Sequence, residues 1–166
     1  MTALQQETQI YRMTVEDVNA CWALNRRCFD AHEVYDRETF HYLLSHTNAV
    51  SYKILDSQRV MLAFLVGLIE QDGTGHIITL GVVPEYRRQG AAQRLLDFAE
   101  GGFRFRHIVT LRLEVQIDNT AAQRLYMRHG FKIVERLEQY YTNGNDGYLM
   151  VKVIGDLSPP EYFVNE

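Results

Sequence analysis

The chain has 166 residues, a formal net charge of −4 and 46% hydrophobic residues, which are the size and composition of one globular domain. This composition excludes a chain that is disordered throughout, and the acidic balance argues against nucleic acid as the main partner. The longest apolar run, Val60 to Ile69, is too short to span a bilayer and predicts a buried strand. Residues 1–7 have neither a basic start nor an apolar stretch, so we expect a cytoplasmic protein with no secretory signal and no membrane partner.

The first half of the chain predicts two helices followed by three strands. Thr14 is a hydroxyl cap with acidic residues after it, and apolar residues at three-four spacing continue from Val18 to Phe29. The polar stretch 30–36 separates this helix from a shorter one around Phe40. Short turns join the strands that follow, so we expect antiparallel neighbours. These strands are predicted at 49–55, 60–70 and 76–83.

Helices and strands alternate in the second half. A helical pattern begins at Gly90, and Gly101-Gly102 is predicted to close that helix. The remaining elements are a strand at 110–116, a helix capped by Asn119 and ending at Gly130, and a hairpin of 131–141 and 147–154. The order predicts one α/β domain over residues 6–155, with a mixed, mostly antiparallel sheet of six to seven strands and flanking helices. Residues 156–166 are predicted to form a flexible tail.

Disulfide and metal chemistry are not expected. Cys21 and Cys28 lie two helical turns apart, about 10 Å, which is beyond the reach of a disulfide. They are therefore predicted to be free thiols in a reducing compartment. No His-x-x-x-His or Cys-x-x-Cys pair occurs, so no metal ligand is assigned.

The segment Arg87-Arg88-Gln89-Gly90-Ala91-Ala92 is the most informative local feature. A helix N-terminus presents main-chain N–H groups and a partial positive charge. Small residues let an anion approach that main chain, and the two arginines add positive charge. This pattern predicts a pyrophosphate-binding turn, and the alternative is an ordinary helix start with two solvated arginines.

Two segments resemble motifs of the GNAT superfamily of acyl-CoA N-acyltransferases. Arg87, Gly90 and Ala92 occupy the Gln/Arg-x-x-Gly-x-Gly/Ala motif. Residues 119–131 are similar to the Asn-x-x-Ala-x-x-Leu-Tyr-x-x-x-Gly-Phe segment, and the element order also resembles that fold. Leu113-Glu114-Val115 and Tyr140-Tyr141 most resemble ribosomal-protein-alanine and other protein N-terminal acetyltransferases. The stretch 30–36 matches no single subfamily, which leaves the acceptor open.

The resemblance implies a role for several residues. Glu114 corresponds to the general base and Tyr126 to the general acid. The main chain of an opened strand would pair with the pantetheine arm of acetyl-CoA at Leu80, Gly81 and Val82. The pyrophosphate would be held by the amides of Arg88, Gln89, Gly90, Ala91, Ala92 and Gln93, and Asn119 would also touch the cofactor. Candidate acceptor-binding side chains are Tyr35, Tyr140 and Tyr141.

Each of these residues also has a purely structural interpretation. Glu114 lies off the apolar face of its strand, where an ion-paired surface acid is common. Tyr126 can be a core tyrosine that anchors its helix to the sheet. Glu33 and Asp36 are further candidates for attracting a cationic amine, although exposed loop acids are the commoner interpretation.

The function implied by the resemblance is direct transfer of an acetyl group from acetyl-CoA to a primary amine, with a protein N-terminal α-amine as the expected acceptor. A small amine or a lysine is the alternative acceptor. A non-catalytic acyl-CoA sensor on the same fold is the alternative from a different class, because a fold alone does not decide function. No nucleic-acid partner is expected, and the sequence does not indicate an oligomeric state.

Overall fold

Seven strands form one mixed sheet in the computed structural model of the protein, which describes residues 7–31 and 33–155. They are β1 (Gln9–Arg12), β2 (Tyr52–Leu55), β3 (Met61–Ile69), β4 (Gly75–Val82), β5 (Thr110–Gln116), β6 (Lys132–Leu137) and β7 (Gly147–Val153). Their order is β1-β2-β3-β4-β5-β7-β6, and only the β4–β5 pair is parallel. The predicted sheet and its parallel pair are confirmed. β1 is not predicted, because this four-residue edge strand is mostly exposed and has no apolar alternation.

Helices cover both faces of the sheet. The described residues form four α-helices: α1 (Val18–Cys28), α2 (Arg37–Ser45), α3 (Ala91–Phe105) and α4 (Thr120–Arg128). Short 3-10 turns lie at Val15–Asp17 and Pro84–Tyr86. α1 and α2 pack on one face around Phe40 and Phe64, whereas α3 packs on the other face around Phe103 and Leu113. None of the described helices is long and apolar enough to serve as a membrane span. The predicted tail at 156–166 lies outside the described residues, as do residues 1–6 and His32.

The predicted helix start at Thr14 is confirmed, and its geometry is a capping box. The Thr14 hydroxyl accepts the Glu16 N–H at 3.3 Å, and the Asp17 carboxylate accepts the Thr14 N–H at 2.9 Å. Two otherwise unpaired N–H groups are therefore satisfied where the chain turns into α1.

α3 continues through Gly101 and Gly102 to Phe105, so the prediction that these glycines close the helix is wrong. Gly102 faces the sheet, where a Cβ atom would overlap the Tyr52 hydroxyl. At Gly101 a Cβ atom would meet nothing within 4 Å. Gly102 therefore permits close packing of α3 on β2, and the buried side chain of Phe103 carries the apolar stripe onward.

β4 and β5 separate soon after they meet. Their parallel register contains only the pairs Gly75↔Leu111 and His76↔Arg112, although both strands continue further. The β3–β4 register shifts between Val66 and Gly67, which makes Ile78 the extra residue on β4. Such a bulge bends its strand and increases the local twist. A gap therefore opens in the middle of the sheet beyond His76, and the candidate site lies around this gap.

Candidate active site

The gap between β4 and β5 is bordered by the strand segment predicted to pair with pantetheine. The Val83 N–H donates to the Leu62 carbonyl of β3 at 3.0 Å. Main-chain groups alternate along an antiparallel pair, so those of Leu80 and Val82 point away from β3, to the side where β5 lies. Those of Gly81 face β3 instead. Gly81 is also packed closely, because a Cβ atom there would lie 2.7 Å from the Phe64 ring.

The Val82 carbonyl is held by two side chains. It accepts a hydrogen bond from Arg87 Nε at 3.0 Å and one from Cys28 Sγ at 3.3 Å. Arg87, at the first position of the sequence motif, therefore fixes the end of β4 rather than pointing its Nε at the turn. Burial raises the pKa of the Cys28 thiol, while the Arg87 charge opposes that rise.

The turn after β4 leads directly into α3. Arg88 and Gly90 both have left-handed backbone conformations, with φ of 60° and 81°. Nothing lies within 4 Å of a Cβ atom built on Gly90, so the corner is open rather than filled by side chains. The first intrahelical bond runs from the Arg94 N–H to the Gly90 carbonyl, which leaves the preceding N–H groups outside the helix ladder. The residues predicted to hold the pyrophosphate all lie here: Arg88, Gln89, Gly90, Ala91, Ala92 and Gln93.

α4 carries two of the predicted site residues. The Asn119 side-chain carbonyl caps the helix by accepting the Ala122 N–H at 3.1 Å. Tyr126 is half-buried, its ring packs edge-on against Phe131 at 5.9 Å between centroids, and burial raises its pKa to about 12. Its hydroxyl has no hydrogen-bond partner in the part of the chain that the structure describes.

Glu114 is joined to two residues that the sequence did not single out. Its Oε2 lies 2.7 Å from His76 Nε2, and the other ring nitrogen, Nδ1, lies 2.7 Å from Glu70 Oε1. His76 is opposite Arg112 in the parallel register. Glu114 is two residues after Arg112 on β5, so its side chain lies on the same face of the sheet as that of His76. That register was the signal that could have revealed the pair, and it depends on knowing how β4 and β5 align.

The Glu70–His76–Glu114 group is largely enclosed. The side chains of Glu114 and His76 are 18% and 17% exposed, and that of Glu70 is 29% exposed. Burial alone would lower the pKa of His76, but the hydrogen bond and charge of Glu114 and the hydrogen bond of Glu70 outweigh it, so the pKa is raised above its usual value. Arg112 opposes that rise and lies 3.6 Å from Glu70 and 3.8 Å from Asp72.

Two loops bring the three predicted acceptor-binding tyrosines close to Glu114. Tyr35 comes from the α1–α2 loop, and its N–H donates to the side chain of the fully buried Asn25 at 3.0 Å. Tyr140 and Tyr141 come from the β6–β7 loop, with ring centroids 5.1 Å apart. Burial is the main cause that raises the pKa of each of the three hydroxyl groups, and the charge of Glu114 adds to the rise at all three. All three therefore stay protonated and can donate hydrogen bonds at neutral pH.

The other predicted candidates have different surroundings. Asp36 caps α2 by accepting the Thr39 N–H at 2.8 Å, which lowers the pKa of its carboxyl. Glu33 lies near the tyrosines, since its charge adds to the raised pKa of Tyr35 and Tyr141. Both cysteines are free thiols. Within the described ranges, no three His, Cys, Asp or Glu side chains are arranged to hold a metal ion.

Comparison with known proteins decides the family. Residues 16–131 match the Acetyltransferase (GNAT) family. The chain belongs to this family. It is 33% identical over 122 residues to N-alpha-acetyltransferase 30 of Schizosaccharomyces pombe, which covers 72% of this chain and 81% of the relative.

Two further likenesses place the chain within the GNAT family. It is 32% identical over 145 residues to L-2,4-diaminobutyric acid acetyltransferase of Streptomyces coelicolor, covering 84% of this chain and 83% of that protein. The crystal structure of the ribosomal-protein-S18-alanine N-acetyltransferase from Escherichia coli matches with a TM-score of 0.83 at 25% identity, over 95% of this chain and 100% of the other. The GNAT fold and the acetyltransferase activity predicted from the sequence are confirmed, together with acetyl-CoA as the co-substrate.

Proposed function

We propose that this GNAT protein transfers the acetyl group of acetyl-CoA to the α-amine of a protein or peptide N-terminus. The observation that carries the proposal is the position of Glu114. This carboxylate lies on β5, beside the gap in the sheet, and tyrosines of two loops lie close enough for its charge to raise their pKa. An acceptor between those loops would place its amine at the carboxylate and its main chain against tyrosine hydroxyl groups.

The turn and the gap together suit acetyl-CoA. The main-chain amides of residues 88–93 would hold the pyrophosphate, since the corner at Gly90 is open and a helix N-terminus attracts anions. The pantetheine arm would lie along Leu80 and Val82, whose main-chain groups point to the side of β5. Asn119 would also touch the cofactor from the start of α4, where its side-chain carbonyl caps the helix.

Glu114 would act as general base, directly or through water. At pH 7 the cost of deprotonating an α-amine is about 1.2 kcal/mol, whereas a lysine side chain costs about 4.6 kcal/mol. A carboxylate in an enclosed site meets the smaller demand more readily. The neutral amine then attacks the thioester carbonyl, the C–N bond forms as the C–S bond breaks, and the nitrogen gives up a second proton that balances the one donated to the CoA sulfur.

Tyr126 would protonate the departing CoA sulfur. Its raised pKa keeps the hydroxyl protonated at neutral pH, and the hydroxyl has no competing hydrogen-bond partner among the described residues. A thiolate is already a tolerable leaving group, because a thiol has a pKa near 8.5. The tyrosine is therefore expected to assist the transfer without being indispensable.

A small diamine is the second candidate acceptor, favoured by the likeness to the diaminobutyric acid acetyltransferase over most of both chains. A thiol-release assay with acetyl-CoA separates the candidates. The panel contains peptides with free N-termini, the same peptides with a blocked N-terminus and an internal lysine, and 2,4-diaminobutyric acid. Release only with free N-termini supports the proposal, and release only with the small diamine would replace it.

The sensor alternative has its own outcome in the same assay. Tight binding of acetyl-CoA with no thiol release for any amine would favour a non-catalytic protein. A cytoplasmic location is also part of the proposal, on the basis of the two free thiols. Fractionation of cells that express the full chain tests that location.

A further inference from the structure

A groove of about 600 Å³ lies along α3, on the side where this helix meets β2. Phe98, Gly101, Gly102 and Phe105 follow one another at three-four spacing, so they line the groove from one face of the helix. The two glycines leave a depression between the two phenylalanine rings. Tyr52 of β2 adds a third ring, 6.0 Å from that of Phe98 between centroids. The lining of the groove is therefore largely aromatic.

This groove leaves large apolar side chains exposed to water. Phe105 is 85% exposed, the highest value for a large apolar side chain among the described residues, and Phe98 is 51% exposed. The outward face of a helix is ordinarily polar. An apolar patch with a polar rim is typical of an interaction site, and the volume falls within the range of pockets that hold ligands. The groove therefore suits an apolar binding partner.

The charged groups around the groove are mostly basic. Arg12 of β1 and Arg106 after α3 line it, and Asp97 is the one acidic residue of its lining among the described residues. The Arg106 guanidinium donates to the side-chain carbonyl of Asn48 at 3.2 Å, which holds it beside the groove. Complementary charge favours one partner over another. The expected partner is therefore an apolar segment flanked by acidic residues.

Residues 156–166 of the same chain have this composition. The segment reads Asp-Leu-Ser-Pro-Pro-Glu-Tyr-Phe-Val-Asn-Glu, with three acidic residues and no basic residue. Its apolar cluster, Tyr162-Phe163-Val164, lies between Glu161 and Glu166. The segment therefore matches the groove in both polarity and charge.

The described part of the chain ends close to the groove. Arg104 Nε, in the last turn of α3, donates to the Ile154 carbonyl at 2.7 Å, so Gly155 lies beside the end of this helix. Phe105 follows Arg104 by about 100° around the helix axis. Residues 156–161 can span about 20 Å, whereas a helix with its side chains is about 10–12 Å wide. The apolar cluster can therefore reach the groove around the end of α3.

We propose that residues 161–166 bind in the groove of their own chain, with the apolar cluster against Phe98 and Phe105 and the acidic residues beside Arg12 and Arg106. The inference does not depend on the proposed acetyl transfer. A short linker gives an effective concentration in the millimolar range, so a weak contact forms within one chain before it forms between two. Binding removes the two exposed phenylalanine rings from water.

Limited proteolysis of the full chain tests this site. Chymotrypsin cuts after Tyr162 or Phe163 when these residues are free, and mass spectrometry identifies the cut. Phe105→Ser removes a ring that the described domain leaves exposed, so the fold should persist. We expect this cut to form about five times faster or more in Phe105→Ser than in the parent, because only the unbound fraction is cleaved. Tyr42→Ser, at an exposed position on α2, is the control and should match the parent.

A change in the segment should also alter exchange in α3. Phe163→Ser should speed deuterium uptake by the main-chain amides of residues 102–106, because the last turn of α3 loses its cover. Ser158→Ala, outside the apolar cluster, is the matched control and should leave this uptake unchanged. The double variant with Phe105→Ser should exchange no faster than the faster single variant. Thermal unfolding shows that each variant is folded.

Mixing the two variants separates binding within one chain from binding between chains. If the segment of one chain bound the groove of another, the intact groove of Phe163→Ser would protect the segment of Phe105→Ser. We expect no such protection, and slower cleavage in the mixture would replace the proposal with an exchange between two copies. Equal cleavage of Phe105→Ser and the parent would overturn it, as would uptake in α3 that is unchanged in Phe163→Ser.

Discussion

Arg87 Nε donates a hydrogen bond to the Val82 carbonyl at 3.0 Å, so the first arginine of the turn is bound to the end of the strand that precedes it. Cys28 of α1 binds the same oxygen. The two side chains hold the border of the gap from opposite directions along the chain. Arg87 therefore acts on the cofactor site through the shape of β4.

Replacing Arg87 by Ala is expected to loosen this border. A hydrogen bond from a charged donor contributes about 1.5–3 kcal/mol, and the lower end applies because Arg87 is exposed. We expect a lower melting temperature and a severalfold higher KM for acetyl-CoA, with kcat changed less. Arg128→Ala on exposed α4 is the control and should leave both constants unchanged. Equal KM values for Arg87→Ala and the parent would contradict this role.

Gly90→Glu should abolish binding of CoA while the protein still folds. The substitution puts bulk and negative charge into an open corner where the pyrophosphate is proposed to lie. Gly90→Ala is the matched control, because it carries the same strain from the positive φ of 81° without the charge. Isothermal titration with CoA measures both variants. Unchanged affinity in Gly90→Glu would remove the pyrophosphate assignment.

Glu114→Gln should lower kcat by about 10² or more near neutral pH, the usual contribution of a general base. The difference from the parent should shrink towards pH 9, where the α-amine deprotonates without help. KM for acetyl-CoA should not change. Glu135→Gln on exposed β6 is the control. If the rate and pH profile of Glu114→Gln match those of the parent, another base or solvent takes the proton.

Tyr126→Phe should lower kcat by about tenfold or less, because a thiolate needs only modest help to leave. The pKa of about 12 keeps this tyrosine protonated throughout an assay between pH 6 and 10. The kcat of the variant should therefore be lower by the same factor at every pH, and its pH profile should show no additional ionisation. Its stability should stay close to the parent's, since no hydrogen bond to the described residues is removed. A loss confined to high pH would point to a different proton donor.

The two glycines of α3 form a matched pair for stability. Gly101→Ala should stabilise the protein by about 0.5–1 kcal/mol, because alanine favours a helix and nothing lies near the new methyl group. Gly102→Ala should instead destabilise it by about 1–3 kcal/mol, because the methyl group would overlap the Tyr52 hydroxyl. Urea unfolding measures both. Equal effects at the two positions would refute the packing explanation.

Local patterns were enough to predict most elements of this fold. The capping box at Thr14, the uninterrupted apolar strand at 61–69 and the alternating strand at 110–116 depend on near neighbours in the chain. The turn at Gly90 was also found from its own residues. The wrong prediction, that Gly101-Gly102 ends α3, concerns a contact between residues far apart in the chain. Gly102 was misjudged because Tyr52, fifty positions away, determines why a glycine is needed there.

The candidate site shows the same division. Glu114 and Tyr126 were found through local motifs, and their neighbourhood could not be predicted in the same way. His76 and Glu70 meet Glu114 only because β4 and β5 pair at Gly75 and His76 and then separate. A histidine in an alternating strand has no sequence pattern that marks it. Its contact with Glu114 can be recognised only once the register of β4 and β5 is known.

The short parallel ladder between β4 and β5 has a consequence for the behaviour of the whole protein. Two residue pairs join the half of the sheet formed by β1–β4 to the half formed by β5–β7. A cofactor lying in the gap would contact both halves and link them. A ligand that binds only the native state stabilises that state more as the ligand concentration rises. Acetyl-CoA would therefore stabilise the junction between the two halves of the sheet whenever it is bound. Deuterium uptake by the main-chain amides of β4 and β5 should then fall as the concentration of acetyl-CoA rises. The local stability of the sheet would thus depend on how much acetyl-CoA the cell contains.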